Sequence, residues 1–88
     1  MITICLDSPT IRRMMRVEVE NQSAYYVTYE GTITMSTLLA LYEEQTGYNL
    51  GNIANYHLRC IDSQWKLRNL ERDSIVYKSW MKVIIRRR

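Results

Sequence analysis

The stretch from Tyr25 to Gly47, YYVTYEGTITMSTLLALYEEQTG, indicates the fold most clearly, because a strand pattern is followed directly by a helix pattern. In its first part, Tyr25, Val27 and Tyr29 alternate with polar or outward-facing residues such as Tyr26. Alternation of this kind places one set of side chains in a core and the other in solvent. We therefore predict a half-buried strand at the start of the stretch.

A single amphipathic helix is predicted for the second part of the stretch. Thr34 is suited to its N-terminus, because a threonine hydroxyl can accept a hydrogen bond from a first-turn amide. Gly47 stands where a left-handed residue commonly ends a helix. Glu43, Glu44 and Gln45 are expected on the solvated side. The buried stripe is formed by the apolar residues at helical spacing, which are Met35, Leu38, Leu39 and Tyr42.

Further strands are predicted on both sides of this unit. Before it, residues 14–20 alternate apolar and charged side chains, and the polar loop 21–24 closes a hairpin. After it, residues 58–61 and 81–85 read as short strands, and residues 65–67 as a brief additional one. Leu70 and Ile75 are expected to fill space in the core. A packing role is favoured for Trp65, whereas Trp80 could serve either packing or binding.

The N-terminal residues predict an additional strand. Ile2 to Leu6 is short, β-branched and apolar, and Asp7 to Thr10 is a turn signal that contains a proline. The whole chain, 1–88, is interpreted as a single domain, with an extension at 1–12 and a core at 13–88. The extra strand would pair either beside the second strand or with another chain, including a second copy in a homodimer.

Composition narrows the functional class. The chain has 88 residues, 47% of them hydrophobic, which is enough for one core and argues against disorder. A net charge of +3 falls short of the clustered charge of a dedicated nucleic-acid binder. Cys5 and Cys60 sit in apolar runs and read as buried thiols, with a disulfide left open. No signal peptide or membrane span is apparent, so an intracellular location, cytoplasmic or nuclear, is expected without membrane contact.

Catalytic and metal-binding chemistry is not indicated. His57 has no Cys, Asp or Glu at metal-ligand spacing, and a surface or edge role is favoured for it. Glu43 and Glu44 are adjacent on the helix and therefore do not share a face. We expect no enzyme activity, no cofactor and no metal site.

From Met15 onward, the pattern resembles the ubiquitin-like β-grasp family. The hairpin MRVEVENQSAYYVTYE is similar to the opening hairpin of that family, and MSTLLALYEEQTG is most similar to the SUMO branch, where a tyrosine also occupies the position of Tyr42. The resemblance implies an α+β fold with a mixed sheet packed on one helix, and a parallel pairing between Val17 and Val83. Conjugated members end in a diglycine, whereas this chain ends in three arginines, so the resemblance implies binding without conjugation.

The candidate binding surface is the basic side of the predicted sheet. If the resemblance holds, Arg59, Lys82 and Ile84 point outward from neighbouring strands, and the arginine tail 86–88 extends the same stripe. Such a surface suits an acidic protein or a nucleic-acid backbone, and a solvated face with a frayed basic end is the plain alternative. The predicted partner-binding residues are therefore Arg59, Lys82, Ile84, Arg86, Arg87 and Arg88.

Three functions remain open from the sequence. The first is a non-catalytic, ubiquitin-like module that binds a protein through its basic β-face or an exposed strand edge. The second is a small viral or phage inhibitor of a host defence protein. The third is an RNA- or DNA-associated module that uses the arginine tail, whose binding would weaken steeply with salt.

Overall fold

The computed structural model describes residues 12–88 and shows one helix packed on a mixed five-stranded sheet. The predicted strand Ile2–Leu6 lies outside the described residues. The order along the chain is β1 (Arg12–Val19), β2 (Tyr25–Glu30), α1 (Met35–Thr46), a 3₁₀ turn (Ile53–Asn55), β3 (Tyr56–Ile61), β4 (Leu67–Leu70) and β5 (Lys82–Arg87). The α+β class expected from the sequence is confirmed.

The sheet has the strand order β2-β1-β5-β3-β4. β1 is antiparallel to β2 and parallel to β5, and Val17 lies opposite Val83 as predicted. β3 pairs antiparallel with β5 on one side and with β4 on the other. The two strands nearest the ends of the chain are therefore neighbours in the middle of the sheet, while β2 and β4 form its edges.

The helix begins and ends where its sequence predicts. The Thr34 hydroxyl accepts a hydrogen bond from the Thr37 amide at 3.4 Å. Gly47 has a φ of 77°, and its N–H donates to the Glu43 carbonyl at 2.8 Å. A left-handed C-terminal residue of this kind satisfies a carbonyl that the last turn leaves without a partner. The four residues of the predicted stripe are the buried ones: Met35, Leu38, Leu39 and Tyr42.

The core lies between α1 and one face of the sheet. Alternate strand residues face it, so Val17, Val27, Cys60 and Val83 are completely buried. Their burial removes apolar surface from water, which is the main term favouring this fold. Burial also raises the pKa of the Cys60 thiol, as expected for a small structural cysteine.

The segment after β3 differs from the prediction. β4 runs over Leu67–Leu70, and Trp65 stands before it in a turn with a φ of 63° and 73% of its surface exposed. Asp62 organises this turn, because its carboxylate accepts bonds from the amides of Gln64 and Lys66 and from the Arg68 guanidinium. The bond from Arg68 is the main reason that the pKa of Asp62 is lowered. The expected packing role of Trp65 is therefore wrong.

The loop between β4 and β5 contributes Val76 to the core, where Ile75 was predicted. Ile75 is 38% exposed, while its neighbour Val76 is buried. The Val76 amide donates to the Ile33 carbonyl at 2.9 Å, and the Met35 amide donates to the Ser74 carbonyl at 2.8 Å. These bonds hold the loop against the start of α1 and turn Val76 inward.

In the described part of the chain, no helix combines the length and the apolar character that crossing a bilayer requires.

Candidate interaction surface

The outer face is the surface of the sheet turned away from α1. Residues directly opposite each other on paired strands share a face, and the buried residues of each strand mark the other one. The outer face carries the side chains of Arg16, Glu18, Tyr26, His57, Arg59, Lys82, Ile84 and Arg86. It brings together residues from β1, β5 and β3 that are far apart in the sequence.

Ile84 and Arg59 lie at the centre of the outer face. Ile84 is opposite Glu18 on β1 and opposite Arg59 on β3, and Arg59 is in turn opposite Asn69 on β4. The Nε atom of Arg59 is buried and has no hydrogen-bond partner among residues 12–88. A buried donor without an acceptor is costly, so Arg59 would gain from a movement of its side chain that brings the guanidinium to an acceptor on another molecule.

Lys82 is close to these residues but is already engaged. Its Nζ lies 3.2 and 3.3 Å from the two carboxylate oxygens of Glu18, and the Arg16 Nε donates to the same carboxylate at 2.8 Å. The bond from Arg16, and then that from Lys82, holds the pKa of Glu18 below its ordinary value. Much of the charge of Lys82 and Arg16 is therefore neutralised locally, and the basic excess lies on the side of Arg59 and Arg86.

The three C-terminal arginines do not form one stripe. β5 extends to Arg87, so Arg86 and Arg87 belong to the strand rather than to a frayed end. Arg86 lies on the outer face opposite His57, whereas the Arg87 guanidinium lies 5.3 Å from the ring centre of Tyr56. The Arg88 amide donates to the Asn55 carbonyl at 3.0 Å. Alternation along a strand sends neighbouring arginines to opposite faces, which the sequence prediction overlooked.

The far end of the outer face is apolar. Leu67 of β4 is 55% exposed and lies opposite Ile61 of β3, and the exposed Trp65 precedes it. Exposed apolar side chains that cluster are informative, in contrast to single ones. The sequence signal was present in WKL at 65–67, where alternation places Trp65 and Leu67 two residues apart, but a packing role was expected for Trp65.

A side chain of α1 covers the middle of the β2 edge of the sheet. On β2, the side-chain amide of Gln45 accepts a bond from the Thr28 N–H at 3.1 Å and donates to the Thr28 carbonyl at 2.8 Å. Gln45 was expected to be solvated, so that prediction is wrong, and Glu43 likewise accepts a bond from the Leu50 amide at 2.6 Å. One helix side chain thus occupies both main-chain groups in the middle of the β2 edge.

The outer face carries charged groups that can form hydrogen bonds with another molecule. Within residues 12–88, no group of three or more His, Cys, Asp or Glu side chains is placed to hold a metal ion. His57 lies on the outer face beside Arg86, across the sheet from the buried Cys60. The charged groups near the centre are arginines and a lysine that can donate to an anionic partner.

No family model and no curated protein matches this chain. Among solved structures, a putative exotoxin 3 from Staphylococcus aureus covers 99% of this chain and 55% of its own, at 10% identity and a TM-score of 0.43. A superantigen-like exotoxin from Staphylococcus aureus subsp. aureus COL covers 98% and 56%, at 4% identity and 0.46. A staphylococcal superantigen-like protein complexed with sialyl Lewis X covers 89% and 51%, at 10% identity and 0.40.

This chain therefore spans about half the length of those proteins. At these TM-scores and identities, the likeness assigns neither a family nor an activity. It does contradict the expected intracellular location, cytoplasmic or nuclear, because the similar structures are of exotoxins, which point outside the cell. The prediction of an intracellular location is therefore wrong.

Proposed function

We propose that this chain is a non-catalytic, ubiquitin-like module that binds another protein through the outer face, centred on Arg59 and Ile84. The observation that carries the proposal is the Arg59 Nε, which has no acceptor among residues 12–88 and belongs to a side chain opposite the half-buried Ile84. The parallel pairing of β1 with β5 supports the ubiquitin-like part, because the sequence resemblance implied it.

The chemistry of the outer face favours an acidic partner. Around Ile84, the cations Arg59, Lys82 and Arg86 outnumber the carboxylate of Glu18. A carboxylate that reaches Arg59 would make a charge-assisted bond, which is about twice as strong as a neutral one. Burying Ile84 in the same contact would add an apolar contribution, and the surrounding positive charge would speed association.

Affinity purification with mass spectrometry tests this proposal. The bait is the full chain, compared with an Arg59→Ala, Lys82→Ala, Ile84→Ala triple variant. A double variant, Arg72→Ala with Lys78→Ala, removes the same charge from exposed loop positions away from the outer face. We expect the wild type and the double variant to enrich the same acidic protein, and the triple variant to lose it while its circular dichroism remains that of the wild type.

Two outcomes would overturn the proposal. If the triple variant retains its partner with unchanged affinity, the outer face is not the binding surface. If the wild type instead enriches RNA or DNA, and the binding weakens steeply as salt rises, the nucleic-acid alternative replaces it.

A further inference from the structure

The edge formed by β4 is open, in contrast to the β2 edge. The Asp62 amide donates to the Lys66 carbonyl at 3.0 Å, which fixes the direction of the alternating main-chain groups in this hairpin. The main-chain groups of residue 60 therefore point towards those of residue 68, and the groups of residue 58 towards those of residue 70. The N–H and C=O groups of Leu67 and Asn69 point away from β3. Among residues 12–88, no main-chain or side-chain group bonds to them.

An open edge of this kind is ready to accept another strand. Proteins commonly protect such edges with a charge, a proline or a covering side chain, and Gln45 covers the β2 edge in that way. At the β4 edge, the outer-face side chains are an exposed Leu67 and an exposed Asn69, while Arg68 between them is on the other face and donates to Asp62. The contrast marks β4 as the edge that is available to a partner.

We propose that β4 is a docking edge for an extended, acidic segment of the partner protein, which adds to the sheet as a further strand. The inference rests on the proposed function and specifies how the partner reaches the outer face. Main-chain bonds to Leu67 and Asn69 supply affinity, and alternate side chains of the added strand lie on the outer face and supply specificity.

The neighbouring side chains define that specificity. An added residue opposite Leu67 lies beside Leu67 and Ile61 and is apolar. The residue two positions away lies opposite Asn69, and a glutamate there reaches across Asn69 towards Arg59, whose Nε lacks an acceptor. The added strand and β3 lie about 9–10 Å apart, a distance that a glutamate and an arginine side chain span together. Charge complementarity to Arg59 therefore selects an acidic segment.

Titration of the ¹⁵N-labelled full chain tests the inference with a synthetic peptide of Val-Thr-Glu-Thr repeats, in which valine and glutamate lie two positions apart and therefore share one face of the added strand. We expect the Leu67 and Asn69 amides to shift and to become protected from exchange, with saturation below about 1 mM peptide. The matched probe is the same peptide with lysine in place of each glutamate, which should bind at least about tenfold more weakly.

Asn69→Pro is the decisive variant. Its N–H points outward, so proline removes the docking donor without removing a bond between β3 and β4, as is tolerated on edge strands. Unchanged shifts of Cys60 and Arg68 would show that the hairpin is intact. Leu67→Asp is a second variant, because it repels an acidic strand, and Ser23→Asp in the exposed loop between β1 and β2 is its charge-matched control. We expect at least about tenfold weaker binding for the first two variants only.

Several results would overturn the inference. No shift at about 1 mM peptide, equal binding of the lysine peptide, or shifts at Thr28 instead of Asn69 would each reject it. A dimer of the chain in analytical ultracentrifugation that Asn69→Pro abolishes would assign the edge to a second copy. If Asn69→Pro keeps a partner that the Arg59, Lys82, Ile84 triple variant loses, the proposed function stands and the docking edge alone is wrong.

Discussion

The two faces of the sheet are built by the same strands and yet differ in every physical respect. On the inner face, Val17, Val83 and Ile85 are completely buried against α1. On the outer face, the residues between them, such as Glu18 and Ile84, are half-buried and surrounded by charge. Because strand side chains alternate, a single step along β5 passes from a position that holds the fold to one that can meet a partner.

This difference indicates which surface of so small a domain is available to bind a partner. The side chains of the inner face are needed for the core, because a chain of 88 residues buries only a modest fraction of its surface. The outer face has an ion cluster, an isoleucine and an arginine with an unused donor, and none of these is needed to close the core. Substitutions on the two faces should therefore separate stability from binding.

The largest effect is expected for adjacent residues of β5. Ile85→Ala removes a fully buried side chain and should lower the free energy of unfolding by about 3–4 kcal/mol. Ile84→Ala removes a half-buried one and should cost about 1 kcal/mol. Urea denaturation of both variants measures the difference. Equal losses would mean that Ile84 supports the core, and the distinction between the faces would fail.

The inner face could be predicted from the sequence because its signals are local. Alternation located Val17 and Val19, helical spacing located Leu38 and Tyr42, and Gly47 marked the end of the helix. Each of these depends on residues a few positions away, so the same pattern dictates burial in any fold that uses these elements. The centre of the outer face followed as its complement.

The edges and the turns could not be predicted because they depend on distant partners. Gln45 is half-buried only because Thr28, which is 17 residues earlier, offers it two main-chain groups. Val76 replaces Ile75 in the core because its amide bonds to the Ile33 carbonyl. No spacing rule connects such pairs. The division of the C-terminal arginines, in contrast, was available from simple alternation once β5 was extended to Arg87.

An intermediate effect is expected at the end of the helix that covers the inner face. Gly47 has a φ of 77°, and a Cβ at this position would meet nothing within 4 Å. The cost of Gly47→Ala is therefore purely that of the left-handed backbone, about 1 kcal/mol. Gly47→Asn should cost less, because asparagine tolerates this conformation. Thermal unfolding of both variants measures this, and an equal loss would indicate a cause other than the backbone.

The smallest effect is expected for the ion cluster on the outer face, and it depends on pH. Bonds from Arg16 and Lys82 hold the pKa of Glu18 below its ordinary value, so the folded state favours the charged carboxylate. The stabilisation is complete above the pKa of the unfolded chain and is lost as the pH falls through the lower folded value. Since the group is part-exposed, we expect about 0.5 kcal/mol near neutral pH.

Glu18→Gln should therefore be less stable than the wild type at neutral pH, and the difference should vanish in acid below the lowered pKa of Glu18 in the folded state, where the wild-type carboxylate is also protonated. Urea denaturation across this pH range measures it. Glu44→Gln is the control, because Glu44 is exposed and makes no ion pair with any residue from 12 to 88. A Glu18→Gln loss that persists unchanged in acid would show that Glu18 acts by packing, and the outer face would then share the structural role of the inner one.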